Sequence, residues 1–455
     1  MLLRNYALFT VCMVLFCQIS IAAPHTEEDT KEFWLSDGYG LLIQKQQQEL
    51  RAFEITSISC ILGWKAQRVY QPEAKEGAAY EGRERYLLMD GPDGTKKLHM
   101  EGTVSDILLH RVSALPRQCS LTPQNTPQTN YAIFWQTFAE QYGFFALHKV
   151  DWNAIDKNFR PQVTATTDPK DLFRIFTQML GPLQDTHTVI FARNIGQEYE
   201  GTRSDSNQLE DEAWKRAEEI IVSRYLHSSL RSFCKGRLQF GMLAHSIAYL
   251  RITAFYGYAD SDNYEHEIQA LQSALDEIFS NANKMRGLVI DIRLNHGGDD
   301  PLGVEIASRL TATRYLAYSK VARNNLTGPL HYTQPQKTWV EPSQRPGFHG
   351  PVVVLTGPDT VSAGETFTMA LMGRTPHIQR IGLNTQGVFS DVLKRTLPNG
   401  WIIHLPNEVY WTRNHKAFDA TGVPPDIPVR FFSEADLHNG YDAALETALR
   451  SFELH

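Results

Sequence analysis

The second half of the chain repeats one order of elements, and that order limits the folds open to it. Residues 287–294, GLVIDIRL, form an apolar run that is followed by the glycine loop NHGGDD and by the helical pattern PLGVEIASRLTA. A second apolar run, GPVVVLTGP, also leads through a short loop into a helical pattern, and HIQRIGL is a third run. Apolar runs that alternate with helices are typical of buried parallel strands. The sequence predicts an α/β core over residues 246–455.

The first half of the chain has a different pattern. Between residues 23 and 125, short runs rich in valine, isoleucine and tyrosine alternate with glycine turns, as in RYLLMDGPDGTKKLHMEG. This pattern predicts a separate, small β-rich N-terminal domain. Residues 126–245 are mainly helical, with Phe134, Phe138 and Tyr142 spaced by four. We therefore expect three regions after the N-terminal segment, with boundaries near residues 125 and 245.

Residues 1–22 have the layout of a secretory signal: one arginine, an apolar run and a small pair, Ser20 and Ala22. We expect cleavage after Ala22, export to the periplasm or the extracellular space, and no stable membrane insertion afterwards. A retained membrane anchor is the alternative. Cleavage would leave Cys60, Cys119 and Cys234. Export permits a disulfide between Cys60 and Cys119, and three buried free thiols are the other possibility.

Composition and charge exclude several classes of partner. The net charge is -7, and lysine and arginine form no cluster that would follow a phosphate backbone. Cysteine and histidine do not occur at the spacings of zinc sites. We expect neither a nucleic-acid partner, nor a metal, nor a cofactor.

One serine lies in a loop at the carboxyl end of a predicted parallel strand, where catalytic and binding residues are usually found. Loops at the carboxyl ends of adjacent parallel strands meet at one edge, so NHGG and TVSAG should lie side by side. Ser362 with Glu365 fits a capping box, which is the structural interpretation. The chemical interpretation makes Ser362 a nucleophile, with amides of Gly297 or Gly298 and of Ala363 binding the oxyanion. Thr360 replaces the first glycine of GxSxG, which argues against an ordinary α/β-hydrolase.

Four motifs in order, GLVIDIRLNHGG, VVVLTGPDTVSAGETF, IGLNTQG and DATGVPPDIPV, resemble the catalytic core of the S41 serine peptidases. This family includes the tail-specific C-terminal processing proteases and the tricorn core protease. Upstream, FWQTFAEQYGFF, MLGPLQDTHTVI and IAYLRITAFYGY extend the resemblance to residues 130–430. It implies a core of the ClpP/crotonase-like type and a peptide or protein substrate. The segment between His187 and IAYLRI is too short for the PDZ domain of some members.

The resemblance separates two mechanisms. The processing proteases use a Ser-Lys dyad whose lysine follows a GxxTxG element. Here GLNTQG is followed by Val388, and Lys394 is out of register. The tricorn-like branch takes its base from a histidine before the core, which corresponds to His187. His296, in the glycine loop, is the competing base.

The same branch places an acid three residues before its GVxPD element. Asp419 occupies this position, and Thr186 corresponds to a serine that links the base to the acid. Asp426 is interpreted as a structural carboxylate. The sequence thus predicts an exported serine peptidase that uses Ser362, His187, Asp419 and Thr186. The alternatives are a non-catalytic carrier, because retinoid-binding proteins of the eye resemble this core, and an esterase.

Overall fold

The computed structural model describes residues 31–70, 77–203, 209–227, 229–261, 263–324 and 332–453. The predicted signal at residues 1–22 lies outside these ranges. Within them, no helix combines the length and the apolar character that a bilayer crossing requires.

The N-terminal region is a closed barrel of antiparallel strands in chain order. The strands are β1 (Glu32–Ser36), β2 (Leu41–Gln46), β3 (Glu49–Ile55), β4 (Cys60–Val69), β5 (Ala78–Glu81), β6 (Arg85–Asp90), β7 (Lys96–Met100) and β8 (Asp106–Val112). β1 pairs with β8 and closes the ring, so the sheet has no free edge. Alternate side chains such as Ile43, Leu50 and Leu98 fill the interior. The predicted β-rich N-terminal region is confirmed.

A disulfide joins Cys60, at the start of β4, to Cys119 in the segment that leaves the barrel. Cys234 is free. Of the two possibilities that the sequence left open, the bridge is therefore the one present. It ties the connection between barrel and core back to the barrel wall.

Replacing both Cys60 and Cys119 by serine should lower the free energy of unfolding by about 4 kcal/mol, because the unfolded chain regains the freedom of a long loop. The bridged residues are 59 positions apart. Urea unfolding followed by circular dichroism would measure the change. Cys234→Ala is the control for loss of a thiol alone and should cost about 1 kcal/mol or less. A double variant as stable as the wild type would contradict the expectation.

The chain between the barrel and the central sheet begins with three helices, α1 (Pro127–Gln141), α2 (Trp152–Phe159) and α3 (Pro169–Leu180). Side chains of Thr126, Asp151 and Asp168 cap their N-termini. The predicted stripe of Phe134, Phe138 and Tyr142 is buried in their common core. Two short strands and a helix follow: β9 (Val189–Ala192), β10 (Gln197–Glu200) and α4 (Asp211–Ile220).

The remaining elements form the α/β core. They are β11 (Arg231–Phe233), β12 (Leu238–Met242), β13 (Ile247–Ile252), α5 (Tyr264–Phe279), β14 (Gly287–Asp291), β15 (Leu294–Asn295), α6 (Asp300–Ser308), β16 (Tyr315–Ala322), β17 (Gln336–Val340), β18 (Val352–Thr356), β19 (Asp359–Thr360), α7 (Ala363–Leu371), β20 (Gln379–Gly382), β21 (Val392–Thr396), β22 (Ile402–Pro406), β23 (Glu408–Trp411), β24 (Ile427–Pro428), α8 (Glu434–Asn439) and α9 (Ala443–Glu453).

The central sheet has the strand order β11-β12-β13-β14-β18-β20-β24, and its pairs from β13 to β24 are parallel. Both faces are covered. Leu288 and Ile290 pack in one apolar cluster, whereas Val289 between them packs in the cluster on the opposite face. Burial on both faces explains why the strand GLVID is continuously apolar.

Among the described residues three smaller sheets complete the core, one of them the pair β15-β19. β21 and β22 form an antiparallel hairpin that extends into the sheet β10-β9-β22-β21, and β16 pairs with β17 and β23. The hairpin brings residues from the C-terminal third of the chain beside β9, which begins two residues after His187.

Candidate active site

The glycine loop and the serine loop lie side by side, as predicted. β14 and β18 are parallel neighbours, and β15 continues the contact by pairing with β19. The main-chain N–H of Val361 then donates to the carbonyl of Asn295 at 3.0 Å. The two loops are therefore held together by backbone hydrogen bonds.

Ser362 has a backbone conformation that side chains rarely adopt, with φ 51° and ψ -119°. It occupies the N-cap position of α7, but its side chain makes no cap hydrogen bond. The capping-box interpretation is therefore wrong. Within the described part of the chain, the Ser362 hydroxyl has no hydrogen-bond partner, and the residue is half-buried. A strained residue with an unused hydroxyl is what a nucleophile at a loop tip requires.

Gly297 makes the close approach of the two loops possible. Its φ is +72°, and a Cβ at this position would lie 2.7 Å from the Cβ of Ser362. Gly298 has a φ of +132°, and a Cβ there would lie 2.3 Å from the carbonyl oxygen of Phe255. Any side chain at either position would push the glycine loop away from its neighbours.

The three amides predicted to bind the oxyanion differ in whether they already have a hydrogen-bond partner. The N–H of Gly297 donates to Oδ1 of Asn295 at 3.0 Å and is not free to bind an oxyanion. The N–H groups of Gly298 and Ala363 donate to no acceptor among the residues described. Ala363 begins α7, where amides lack partners inside the helix. Of the three predicted donors, Gly298 and Ala363 remain candidates and Gly297 does not.

Asn295 is a site residue that the sequence analysis missed. It is fully buried, and its Nδ2 donates to the carbonyl of Ile252 at 2.9 Å while Oδ1 accepts from Gly297. This side chain sets the orientation of the glycine loop. A polar residue directly after a buried strand was the available signal.

His187 lies between α3 and β9. Its Nδ1 is 2.9 Å from the carbonyl oxygen of Phe389, and its main-chain N–H donates to Oδ1 of Asp185. A carbonyl can only accept, so Nδ1 carries the proton and Nε2 has the free lone pair. The ring is thus in the tautomer that a general base needs.

One short segment, residues 385–389, holds both the serine and the histidine. The carbonyl of Val388 accepts from the N–H of Ser362 at 3.1 Å, and the next carbonyl, that of Phe389, accepts from His187. In the described structure no hydrogen bond joins the two side chains directly. His296, the competing base, is exposed, and its ring has no hydrogen bond to any residue that the structure describes.

The carboxylate of Glu365 holds residues 385–389 in place through three hydrogen bonds. It is fully buried, and Oε1 accepts from the N–H of Gly387 at 2.7 Å and from the hydroxyl of Thr385 at 2.5 Å. Its Oε2 accepts from the N–H of Val388 at 2.7 Å. Burial raises the pKa of Glu365 to about 7, against the lowering effect of these donors. The sequence pattern predicted that Glu365 is the partner of Ser362 in a capping box, whereas Glu365 positions Val388, whose carbonyl accepts from Ser362.

The structure does not bring Asp419 into a relay with His187. Asp419 is buried with Oδ2 unpartnered, and its pKa is raised well above the usual range by burial and by the neighbouring Glu365 carboxylate. The Thr186 hydroxyl donates to Oε1 of Gln386 at 3.3 Å. The segment 385–389 thus supplies the partners of both Thr186 and His187.

Asp426 and Lys394, which the sequence also singled out, both have charged partners. Asp426 accepts from the backbone and the guanidinium of Arg380, which confirms its structural role. Nζ of Lys394 lies 3.2 Å from Oε1 of Glu84 in the barrel. Lys394 is thus paired with the barrel, and Val388 stands at the position where the resemblance places the lysine of a Ser-Lys dyad.

Two sequence families match the chain. Residues 246–429 match peptidase family S41, and residues 123–181 match the tricorn protease C1 domain. Among curated protein sequences, none matches at a significant level.

Solved structures show the same fold. A structure described as a candidate peptidase from Parabacteroides merdae has a TM-score of 0.60 and 23% identity, and covers 72% of this chain and 97% of its own. Mature CPAF complexed with lactacystin has a TM-score of 0.55 and 10% identity, and covers 72% and 98%. The S41 match spans both loops of the candidate site, and the C1 match precedes His187. Residues 246–429 are therefore a peptidase family S41 region, preceded by a segment similar to the tricorn C1 domain, and the protein is a serine peptidase.

Proposed function

We propose that the protein hydrolyses peptide bonds with Ser362 as the nucleophile and His187 as the general base. The observation that carries the proposal is the strained backbone of Ser362, which leaves its hydroxyl unused beside two unpartnered amides. Oγ attacks the peptide carbonyl carbon while Nε2 of His187 takes the hydroxyl proton. The C–N bond then breaks, His187 returns the proton to the leaving amine, and water hydrolyses the acyl-enzyme.

The carbonyl of Phe389 supports His187 in both protonation states. It accepts from Nδ1 in the neutral ring and stabilises the imidazolium that forms during attack. The N–H groups of Gly298 and Ala363 would stabilise the oxyanion, each contributing about 3 to 4 kcal/mol. The relay from Thr186 to Asp419 stays a prediction, since it requires Thr186 to exchange its partner Gln386.

We also propose that the core is of the ClpP/crotonase-like type and that the protein is exported. The parallel central sheet with helices on both faces supports the first assignment. The layout of residues 1–22 and the bridge between Cys60 and Cys119 support the second, because disulfides persist in oxidising compartments.

A fluorophosphonate probe tests the nucleophile. We expect it to label the wild type and not Ser362→Ala, because the probe reacts only with an activated hydroxyl. Ser273→Ala, which removes an exposed hydroxyl on α5, is the matched control and should be labelled like the wild type. A folded wild type that takes up no label would support the carrier alternative. Turnover of esters but not of peptides would support the esterase.

A further inference from the structure

A groove runs between the barrel and the core and begins at the glycine loop. One cavity, of about 370 Å³, is lined by Gly298, Asp299 and the whole of β21 on the core side and by β6 and β7 of the barrel. A second cavity, of about 870 Å³, shares Glu84, Glu101 and Asp299 with the first. The shared residues make one continuous groove that passes Gly298.

Most cations that line this groove already have partners. Lys394 pairs with Glu84 at 3.2 Å and Arg85 with Glu101 at 3.7 Å, and the guanidinium of Arg395 is turned to Gln141. Arg83 is exposed at the outer edge of the groove. Because the other cations are already paired, the groove beside Gly298 presents carboxylates without a free cation among the described residues.

Asp299 is a carboxylate without a partner beside the glycine loop. It directly follows Gly298, is half-buried, and occupies the N-cap position of α6 without a side-chain cap hydrogen bond. Its carboxylate has no salt bridge and no hydrogen bond within the described ranges. Burial raises its pKa to about 7, and four further acids add to the shift: Asp300, Asp391, Glu267 and Glu84. An unpaired carboxylate among like charges gains most from a cation brought by a ligand.

Asn407 gives an independent indication of a ligand. It is fully buried in the wall of the smaller cavity, and neither its Nδ2 nor its Oδ1 has a hydrogen-bond partner in the described structure. An unsatisfied buried polar group costs about 1 to 3 kcal/mol. A carboxamide offers one donor face and one acceptor face, which a peptide main chain can satisfy together.

We propose that the groove binds the substrate main chain and places a lysine or arginine side chain of the substrate at Asp299. The site of this cation should be within about two residues of the scissile bond, because Asp299 is the next residue after the oxyanion donor Gly298. This inference rests on the proposed function, which sets the scissile bond at Ser362. It extends that function by naming the substrate class, basic peptides.

Cleavage of a proteome-derived peptide library tests the inference in the active enzyme. We expect lysine or arginine to be enriched roughly tenfold at one position within about two residues of the cleaved bond. Asp299→Asn should abolish the enrichment. Asp90→Asn is the matched control, because it removes an exposed barrel carboxylate paired with Lys96 outside the groove, and it should keep the enrichment. Cleavage without a basic preference in the wild type would overturn the inference and leave the proposed function intact.

Binding to Ser362→Ala tests the groove without turnover. A fluorescent heptapeptide of alanines with a central lysine should bind roughly tenfold more tightly than its glutamine counterpart, and Asp299→Asn should remove the difference. The difference should also grow from about pH 6 to about pH 8, as Asp299 loses its proton while lysine stays charged. Equal binding of both peptides, or none, overturns the inference. A wild type that cleaves nothing and takes no probe, with a lysine preference in binding, overturns the proposed function alone.

Discussion

Replacing His187 by glutamine should lower kcat/KM for peptide cleavage by about 10³- to 10⁶-fold, because Ser362 loses the group that takes its proton. Folding should be preserved, since the ring is half-buried at the edge of β9. Turnover of a cleaved library peptide, the rate of fluorophosphonate labelling and circular dichroism would measure the effect. Labelling should slow with turnover, because both depend on the activated hydroxyl.

Two further histidines make this test specific. His404 faces the same region from β22, opposite Val189, and burial with nearby positive groups lowers its pKa to about 4. His404→Gln controls for loss of a neighbouring imidazole and should retain most turnover. His296→Gln addresses the competing base. If His296→Gln abolished labelling and His187→Gln did not, the assignment of His187 as the base would be wrong.

Replacing Glu365 by alanine should lower the free energy of unfolding by about 3 to 5 kcal/mol, because three buried donors lose their acceptor together. These donors are the amides of Gly387 and Val388 and the hydroxyl of Thr385. Turnover should fall by about 10² or more, since the segment that holds Ser362 and His187 is released. Urea unfolding and labelling rates would measure the two effects. An alanine variant with wild-type stability would contradict the clamp.

Glu365→Gln separates the clamp from general packing. Glutamine has a similar volume but carries N–H groups, so at least one of the three donors would face another donor. We expect a stability loss of about 1 to 2 kcal/mol, with labelling still slowed in a folded protein. Normal labelling in this folded variant would show that Glu365 supports the fold without positioning the nucleophile.

The pH dependence of unfolding should also differ between the wild type and Glu365→Gln. The pKa of Glu365 is raised from 4.5 in a free side chain to about 7 in the fold, so folding favours its protonated form. This contribution to stability is complete below about pH 4.5 and is lost as the pH rises to about 7. Burial is the largest cause of the raised pKa of Asp419, and it does not depend on the charge of Glu365. The stability difference between the wild type and Glu365→Gln should therefore shrink across this range.

The sequence by itself determined the buried strands of the core and the proximity of the glycine loop to the loop that carries Ser362. Apolar runs such as 287–294 identified buried parallel strands, because a strand that is covered on both faces must be apolar at successive positions. Chain order then brought Ser362 beside the glycine loop, and the family motifs selected His187 over a lysine. These inferences depend on neighbours in the chain or on the general rule for parallel sheets.

Only the tertiary structure decided how the site is held. The partners of Thr186 and His187 lie about 200 residues further along the chain, at Gln386 and Phe389. No local pattern encodes such contacts, so the sequence did not predict that residues 386 and 389 provide the partners of Thr186 and His187. The sequence also predicted a capping box of Ser362 with Glu365, but the Ser362 side chain makes no cap hydrogen bond and Glu365 accepts from residues 385, 387 and 388 instead. Hydrogen bonds between distant segments depend on how the sheets pack, and packing is set by the whole chain.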